Sequence, residues 1–315
     1  MTERRPTAEG VAAAAKRIAG MVTETPLLPF LHGGRRYWVK PECLQQSGSF
    51  KLRGASNRLA QLGAAERARG VVAFSSGNHA QGVALAAQRL GIAATIVMPA
   101  DAPAVKVEGT RAAGAEIVFF DRATESREEI GARLAAEQGA TLVPSFDDVD
   151  VIEGQGTVGV EIRIQLGVAP PMVIVPCGGG GLSSGIALAL PESQIVAVEP
   201  EGWDDMTRSL ELGRIVPVAE PAPANFCDAL QTKLVSPLTF AALQDAQARG
   251  LAVSEAEVEE AMRVAFRALH IVAEPGGAVA LAALLAGKVD APEGAVVVVS
   301  GGNVDPALHA RIIGG

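Results

Sequence analysis

From Val71 to the end of the chain, short runs of β-branched residues alternate with longer alanine-rich helical patterns. That alternation restricts the fold more than any other feature. The expected strands are Val71–Phe74, Ala94–Met98, Glu116–Phe120, Thr141–Val143, Met172–Pro176, Gln194–Glu199 and Ala295–Val299. Between and around them the pattern gives helices over Ala80–Leu90, Ala104–Ala113, Arg127–Gln138, Gly156–Gln165, Leu182–Leu190, Glu255–Leu269 and Gly277–Ala286. Near-continuous apolar strands separated by helices belong in parallel sheets covered on both faces, because each parallel return needs a crossover. The expectation is an α/β chain with open, mainly parallel, twisted sheets and helices on both faces. Asp147–Asp150 is an acidic interruption between two such series and a crossing point between domains, while Gly213–Asn225, with its prolines, reads as an irregular loop.

Composition narrows the class. A chain of 315 residues suggests about two domains at ~150 residues each. Hydrophobic residues reach 49% and aromatics only 4%, so Ala, Val, Leu and Ile must fill the core. The net charge of −8 and the absence of a basic run argue against a nucleic-acid partner. No apolar stretch approaches the ~18 residues of a membrane span, and the opening MTERRPTAEG has no apolar leader core. Cys43, Cys177 and Cys227 are few and widely spaced, unlike a disulfide framework or a zinc site. The expected setting is reducing and cytoplasmic.

With only six lysines, an unusual one is easy to see. Lys51 lies in Gly48-Ser49-Phe50-Lys51-Leu52-Arg53-Gly54-Ala55, flanked by small residues at the start of a helix. Desolvation there disfavours the ammonium and exposes an amine suited to Schiff-base chemistry. Alone, the same residue is an ordinary first-turn lysine. Directly after the strand Met172–Pro176 comes Cys177-Gly178-Gly179-Gly180-Gly181-Leu182, whose backbone can curl several N–H groups around one phosphate. Its alternative is a flexible strand–helix turn. Glu199, about twenty residues on, imitates a dinucleotide site, but no G-x-G-x-x-G can be laid on the glycines. Ser75-Ser76-Gly77-Asn78-His79 either caps a helix or grips a carboxylate. Ser300-Gly301-Gly302-Asn303 follows the last strand, either as a turn or as the ligand-binding edge of an open sheet.

In this order the motifs resemble the fold-type II pyridoxal-phosphate enzymes (tryptophan-synthase-beta-like), and among them the threonine/serine dehydratase and serine racemase branch. The match runs from Thr25-Pro26-Leu27-Leu28 to Ser300–Asn303, and the Ser-Phe-Lys-x-Arg-Gly-Ala form separates this branch from cysteine-synthase relatives. The resemblance implies pyridoxal 5′-phosphate bound at Lys51 beside Phe50, with Asn78 at its phenolic oxygen. It further implies a phosphate held by Gly178, Gly179, Gly180, Gly181 and Leu182, and Ser300 at the pyridine nitrogen. Ser75, Ser76, Gly77, Asn78 and His79 would bind the substrate carboxylate. Lys51 and, from the opposite face, Ser76 would be the catalytic pair. The smaller domain would be 71–148 and the larger 1–70 with 149–315, in a homodimer.

The implied reaction is dehydration of a β-hydroxy amino acid, L-threonine or L-serine first, to a 2-oxo acid and ammonia. A neutral hydroxyl at Ser300 cannot hold a pyridinium, which favours β-elimination over transamination. A hydroxyaspartate dehydratase is the near alternative and needs another cation, for which Lys233 or Arg208 could serve. A serine racemase is the next alternative. From other classes come a nicotinamide-dependent oxidoreductase and a non-catalytic phosphate binder. Glu199-Pro200-Glu201-Gly202-Trp203-Asp204-Asp205 matches the family's divalent-cation segment: the carboxylates of Glu199 and Asp205 with the Trp203 carbonyl would suit Mg²⁺ or Ca²⁺, unless this is a solvated acidic turn. Ser145-Phe146-Asp147-Asp148 looks like the dehydratase version of its segment, and Asp228–Ser236 does not align with the racemase. The chain ends soon after Asn303, so a C-terminal regulatory domain and isoleucine feedback are not expected.

Overall fold

The computed structural model describes residues 4–75, 77–102 and 104–315. Among them are ten strands: β1 Leu28–His32, β2 Arg35–Pro41, β3 Val71–Phe74, β4 Ala94–Pro99, β5 Glu116–Phe120, β6 Thr141–Leu142, β7 Met172–Pro176, β8 Gln194–Pro200, β9 Arg249–Val253 and β10 Val296–Val299. They form a six-stranded sheet in the order β1-β2-β10-β7-β8-β9 and a four-stranded sheet in the order β5-β4-β3-β6. Every pairing is parallel except β1–β2. The expected α/β architecture is therefore the observed one.

Each expected strand and helix is present, with ends moved by a residue or two. The expectation omitted the β1–β2 hairpin, β9 and several helices. The hairpin did have a local signal. Gly33 and Gly34, with φ of +56° and +77°, form a two-residue turn in which His32 faces Arg35, a conformation that favours glycine at both central positions. Strand β9 is short and no more than half-buried over most of its length, so its alternation is weak.

The core of the large sheet explains the residue choice. Strand β10 is Val-Val-Val-Val and fully buried. Against it packs the helix Pro275–Leu285, every described residue of which is buried except its last, Leu285. Small alanines on this helix let it approach the strands closely, which is how a chain poor in aromatics fills its interior. Parallel strands align their carboxyl ends, so Ser75, Cys177 and Ser300, each following one (β3, β7, β10), stand along sheet edges where open α/β folds bind ligands.

Candidate active site

Those edges enclose a cavity of about 610 Å³. Lys51, Ser75, Gly77, Asn78, His79, the glycines 178–181, Leu182 and Ser300 all border it, as does Phe50. Motifs separated by up to most of the chain thus converge on one space. Ser76 lies outside the described residues.

Lys51 opens the helix Lys51–Ala60. The preceding chain is anchored by a bridge between Ser49 and Gly301 and by the Phe50 amide donating to the Ser300 carbonyl at 3.1 Å. The lysine motif and the Ser300 turn are therefore a single tied unit. Lys51 Nζ donates to the Ser145 carbonyl at 2.9 Å. Burial pushes its pKa down to about 8, against the negative charge of Glu274, so the neutral amine is far more accessible than in water.

Two residues on, Arg53 is fully buried. It forks onto Glu42 at 2.7 Å through Nε and at 2.7 Å through Nη2, and onto Glu161 at 2.5 and 2.9 Å. Lys40 joins them, donating to Glu161 and to the Thr25 carbonyl, each at 2.6 Å. Directional bonds of this kind fix the roll of the helix and hence the side from which Lys51 leaves it. Burial alone would raise Glu42, but the Arg53 charge and hydrogen bonds, with Lys40, outweigh it and hold Glu42 below its ordinary value.

The glycine loop is built for an anion. Gly180 has φ +85°, and a Cβ there would sit 2.7 Å from Met206 Cε and 2.9 Å from Thr239 Cβ. Thr239 Oγ1 donates to the Gly179 carbonyl at 2.8 Å, and Ser184 Oγ to the Gly180 carbonyl at 2.7 Å. In a trans peptide the N–H opposes its carbonyl, so these hydroxyls turn the Gly180 and Gly181 amides the other way. Among the described residues no backbone carbonyl takes the amides of Gly178 to Leu182, and of these the Gly180 amide faces the Cys177 sulfur. A row of amides without carbonyl partners at the start of the helix Gly181–Ala189 has the chemistry of an anion cradle.

Asn78 begins the helix Asn78–Leu90. Its Nδ2 donates to Glu274 Oε1 at 2.5 Å, and its Oδ1 accepts from Asn303 Nδ2 at 2.7 Å. His79 Nε2 donates to the Val143 carbonyl at 2.8 Å, which leaves Nδ1 a buried lone pair without a partner. Burial and the Lys51 charge push His79 down to about 3, so the ring is neutral.

A family model described as "Pyridoxal-phosphate dependent enzyme" matches residues 18–301. The chain belongs to the pyridoxal-phosphate-dependent enzymes. It is 44% identical to L-threo-3-hydroxyaspartate ammonia-lyase from a Pseudomonas species, over 96% of this chain and 97% of that one. It is 41% identical to L-threonine ammonia-lyase from Thermotoga maritima, covering 98% of this chain and 78% of the relative. Maize serine racemase superposes with a TM-score of 0.91 at 36% identity, covering 98% of this chain and 97% of that structure. The chain is thus a fold-type II member of the ammonia-lyase and racemase group, with pyridoxal 5′-phosphate as its cofactor. A nicotinamide oxidoreductase and a non-catalytic binder are set aside. The amides over one end of the cavity and the buried amine at Lys51 fit that cofactor's phosphate and aldehyde.

Glu199, Trp203 and Asp205 stand behind the cradle. Glu199 accepts from the Met206 amide at 3.0 Å and from the Thr207 amide and hydroxyl, both at 2.7 Å. Neither Asp205 oxygen, both buried, has a hydrogen-bond partner. Burial, with each carboxylate's acidic neighbours, pushes Glu199 up to about 8 and Asp205 up to about 7. Unpartnered buried carboxylate oxygens beside a second carboxylate fit a hard cation, although no cluster of three or more His, Cys, Asp or Glu exists among the described residues.

Several pocket residues had no sequence signal. Lys106 lines the cavity and pairs with Asp228 at 2.6 Å. Arg127 also lines it, 5.8 Å above the Phe74 ring. Phe146, which does belong to a segment legible in the sequence, Ser145–Asp148, lies against Gly179 and Gly181. Of the two cations expected for a distal carboxylate, Lys233 borders the cavity but is exposed and paired with Glu220. Arg208 does not border it. Its guanidinium donates to the Pro217 carbonyl at 2.7 Å, held there by the local geometry of the helix Asp205–Leu212. No helix among the described residues is long and apolar enough to cross a membrane.

Proposed function

We propose that the enzyme dehydrates a β-hydroxy amino acid to the corresponding 2-oxo acid and ammonia, with 3-hydroxyaspartate as its preferred substrate and L-serine or L-threonine as lesser ones. When bound, the cofactor takes up the electron pair left as the α-proton departs. Lys51, lowered toward neutrality by burial, removes that proton. The amides of Gly178–Leu182 hold the phosphate. Ser300 meets the pyridine nitrogen with a neutral hydroxyl, and Phe50 walls the cavity beside Lys51.

The α-carboxylate falls to the Ser75–Asn78 loop at the positive end of the helix Asn78–Leu90. His79, with a lone pair rather than a proton at Nδ1, shapes that wall and cannot donate to the carboxylate through Nδ1. Asp205, Glu199 and the Trp203 carbonyl would hold Mg²⁺ or Ca²⁺, bracing the chain behind the glycine loop. Residues 71–148 would move as a smaller domain over the rest, opening and closing the cavity between them.

One observation carries the choice of substrate. The wall contributed by the helices Ala104–Ala112 and Arg127–Gln138 presents two cations, Lys106 and Arg127, to the cavity. L-serine and L-threonine carry only the α-carboxylate assigned above to the Ser75–Asn78 loop, whereas 3-hydroxyaspartate brings a second carboxylate for these cations. The similarity to the L-threo-3-hydroxyaspartate ammonia-lyase supports the same reading. A panel of L-serine, L-threonine and the 3-hydroxyaspartate isomers, assayed for 2-oxo acid release, tests it. A higher kcat/KM for L-threonine than for every hydroxyaspartate isomer would overturn the substrate choice.

A further inference from the structure

Glu274 is a carboxylate inside the cavity wall with no role in the mechanism above. It immediately precedes the helix Pro275–Leu285, is only 3% exposed, and borders the cavity. Although it occupies the N-cap position, its side chain caps nothing and instead reaches Asn78 Nδ2. The hydrogen bonds beyond Asn78 all run one way. The Ser47 carbonyl, which can only accept, takes a bond from Asn303 Nδ2 at 2.9 Å. That fixes the NH₂ end of Asn303, which also serves Asn78 Oδ1. With its oxygen engaged, Asn78 must turn its own NH₂ end toward Glu274, and an ionised carboxylate can only accept. The chain is therefore pinned at both ends by groups without a proton to give. One N–H of Asn78 goes to Glu274 and the other is left for the cavity.

We propose that Glu274 is a positioning residue for the cofactor, locking the Asn78 amide so that its remaining N–H points at the phenolic oxygen. The inference rests on the reading that the cofactor is carried by Lys51 with Asn78 at that oxygen. A flipped Asn78 would oppose lone pair to lone pair there. Asn303, held by the Ser47 carbonyl, opposes the flip at the Asn78 oxygen, and Glu274 opposes it at the Asn78 NH₂ end.

The charged and titratable groups around Glu274 come from several elements: Lys51, Lys106, Asp228, Cys43 and Cys227. Burial, with the Asp228 charge, pushes Glu274 up to about 7 against the Asn78 hydrogen bond and the two lysines. Above that pH the carboxylate only accepts and the lock holds. Below it the group can also donate, and the pin at the Glu274 end loosens while the Ser47 end remains.

The test is a double-mutant cycle read on cofactor binding and absorption rather than turnover. Pyridoxal 5′-phosphate is titrated into the apo forms of wild type, Glu274→Gln, Asn78→Ala and the double variant. Glutamine can donate as well as accept, so Glu274→Gln should weaken binding by about 10-fold, equivalent to one hydrogen bond to a charged group. On the Asn78→Ala background the same change should cost less than about 2-fold, because the group it acts through is gone. Glu274→Asp, still acceptor-only, should keep the wild-type pH dependence of the visible band near 7, and Glu274→Gln should lose it. Additive effects in the cycle, or a pH dependence unchanged in Glu274→Gln, overturn the proposal. Borohydride labelling of the wild type separates the two layers: label away from Lys51 overturns the site assignment itself, whereas label on Lys51 with additive effects overturns the Glu274 role alone.

Discussion

Replacing Lys106 by methionine isolates the charge that the substrate proposal depends on. The Lys106 side chain is 10% exposed and its partner Asp228 is 53% exposed, 2.6 Å away. Methionine keeps most of the apolar stem and removes only the ammonium. Asp228, already half in water, loses little when left unpaired. A substrate carboxylate that displaces Asp228 would gain a charge-assisted hydrogen bond to a buried cation, worth about 1.5–3 kcal/mol. That range corresponds to about 10–100-fold in kcat/KM. Lys106→Met should therefore lower kcat/KM for 3-hydroxyaspartate by that factor and change the value for L-serine by less than about 3-fold. Steady-state 2-oxo acid release with both substrates reads the ratio directly. Equal losses on both would refute the reasoning, since Lys106 would then act by tying the two sides of the cavity together through Asp228 and not by recognising the substrate.

Other outcomes follow from the same geometry. Lys51→Ala should abolish turnover with the fold intact, and borohydride with mass spectrometry should place the cofactor on Lys51; label on Lys40 or Lys233 would contradict this. Arg53→Met strands buried Glu42 and Glu161 and should cost about 3–5 kcal/mol, a fall in Tm of roughly 5–15 °C. Because Glu42 is held below its ordinary 4.5, its share of that stability is present above this value and lost as pH falls through the lower folded one. The Tm gap between wild type and Arg53→Met should therefore shrink in acid, and a gap independent of pH would be inconsistent with the pair. Added Mg²⁺ or Ca²⁺ should raise Tm progressively, as ligand linkage requires, and Asp205→Asn should abolish the response; an equal response in both proteins would mean that Asp205 holds no cation. Gly180→Ala forces a side chain onto φ +85° and into Met206 and Thr239, so cofactor affinity should drop by at least about 10-fold, and an unchanged titration would leave the glycine loop without a phosphate role.

The legible parts of this protein were those written in contiguous residues. Valine-rich runs followed by alanine-rich helices specify parallel strands locally, and the ligand motifs are legible because each sits where such a strand ends. Lys51 could be singled out because its small flanking residues stand beside it in the chain, and the glycine run because four adjacent glycines have few other uses. Even the omitted hairpin carried a local mark in Gly33-Gly34.

Other features exist only once distant segments meet. Glu274 reaches Asn78 across 196 residues, and Lys106 reaches Asp228 across 122. A glutamate before a proline at a helix start reads as an ordinary cap, and a lysine inside a helix as an ordinary solvated face, until burial is known. Arg208 looked as suitable as Lys233 for a second carboxylate, yet its helix turns it to the Pro217 carbonyl. Local propensity and patterning depend on neighbours in the chain, so the sequence determined the parallel α/β architecture and singled out Lys51 and the glycine run that border the cavity. Which charges are stripped of water, and which partner each then finds, depends on packing between segments far apart, so only the tertiary structure decided the buried network beneath Lys51, the hydrogen bond between Glu274 and Asn78 and the two cations lining the cavity.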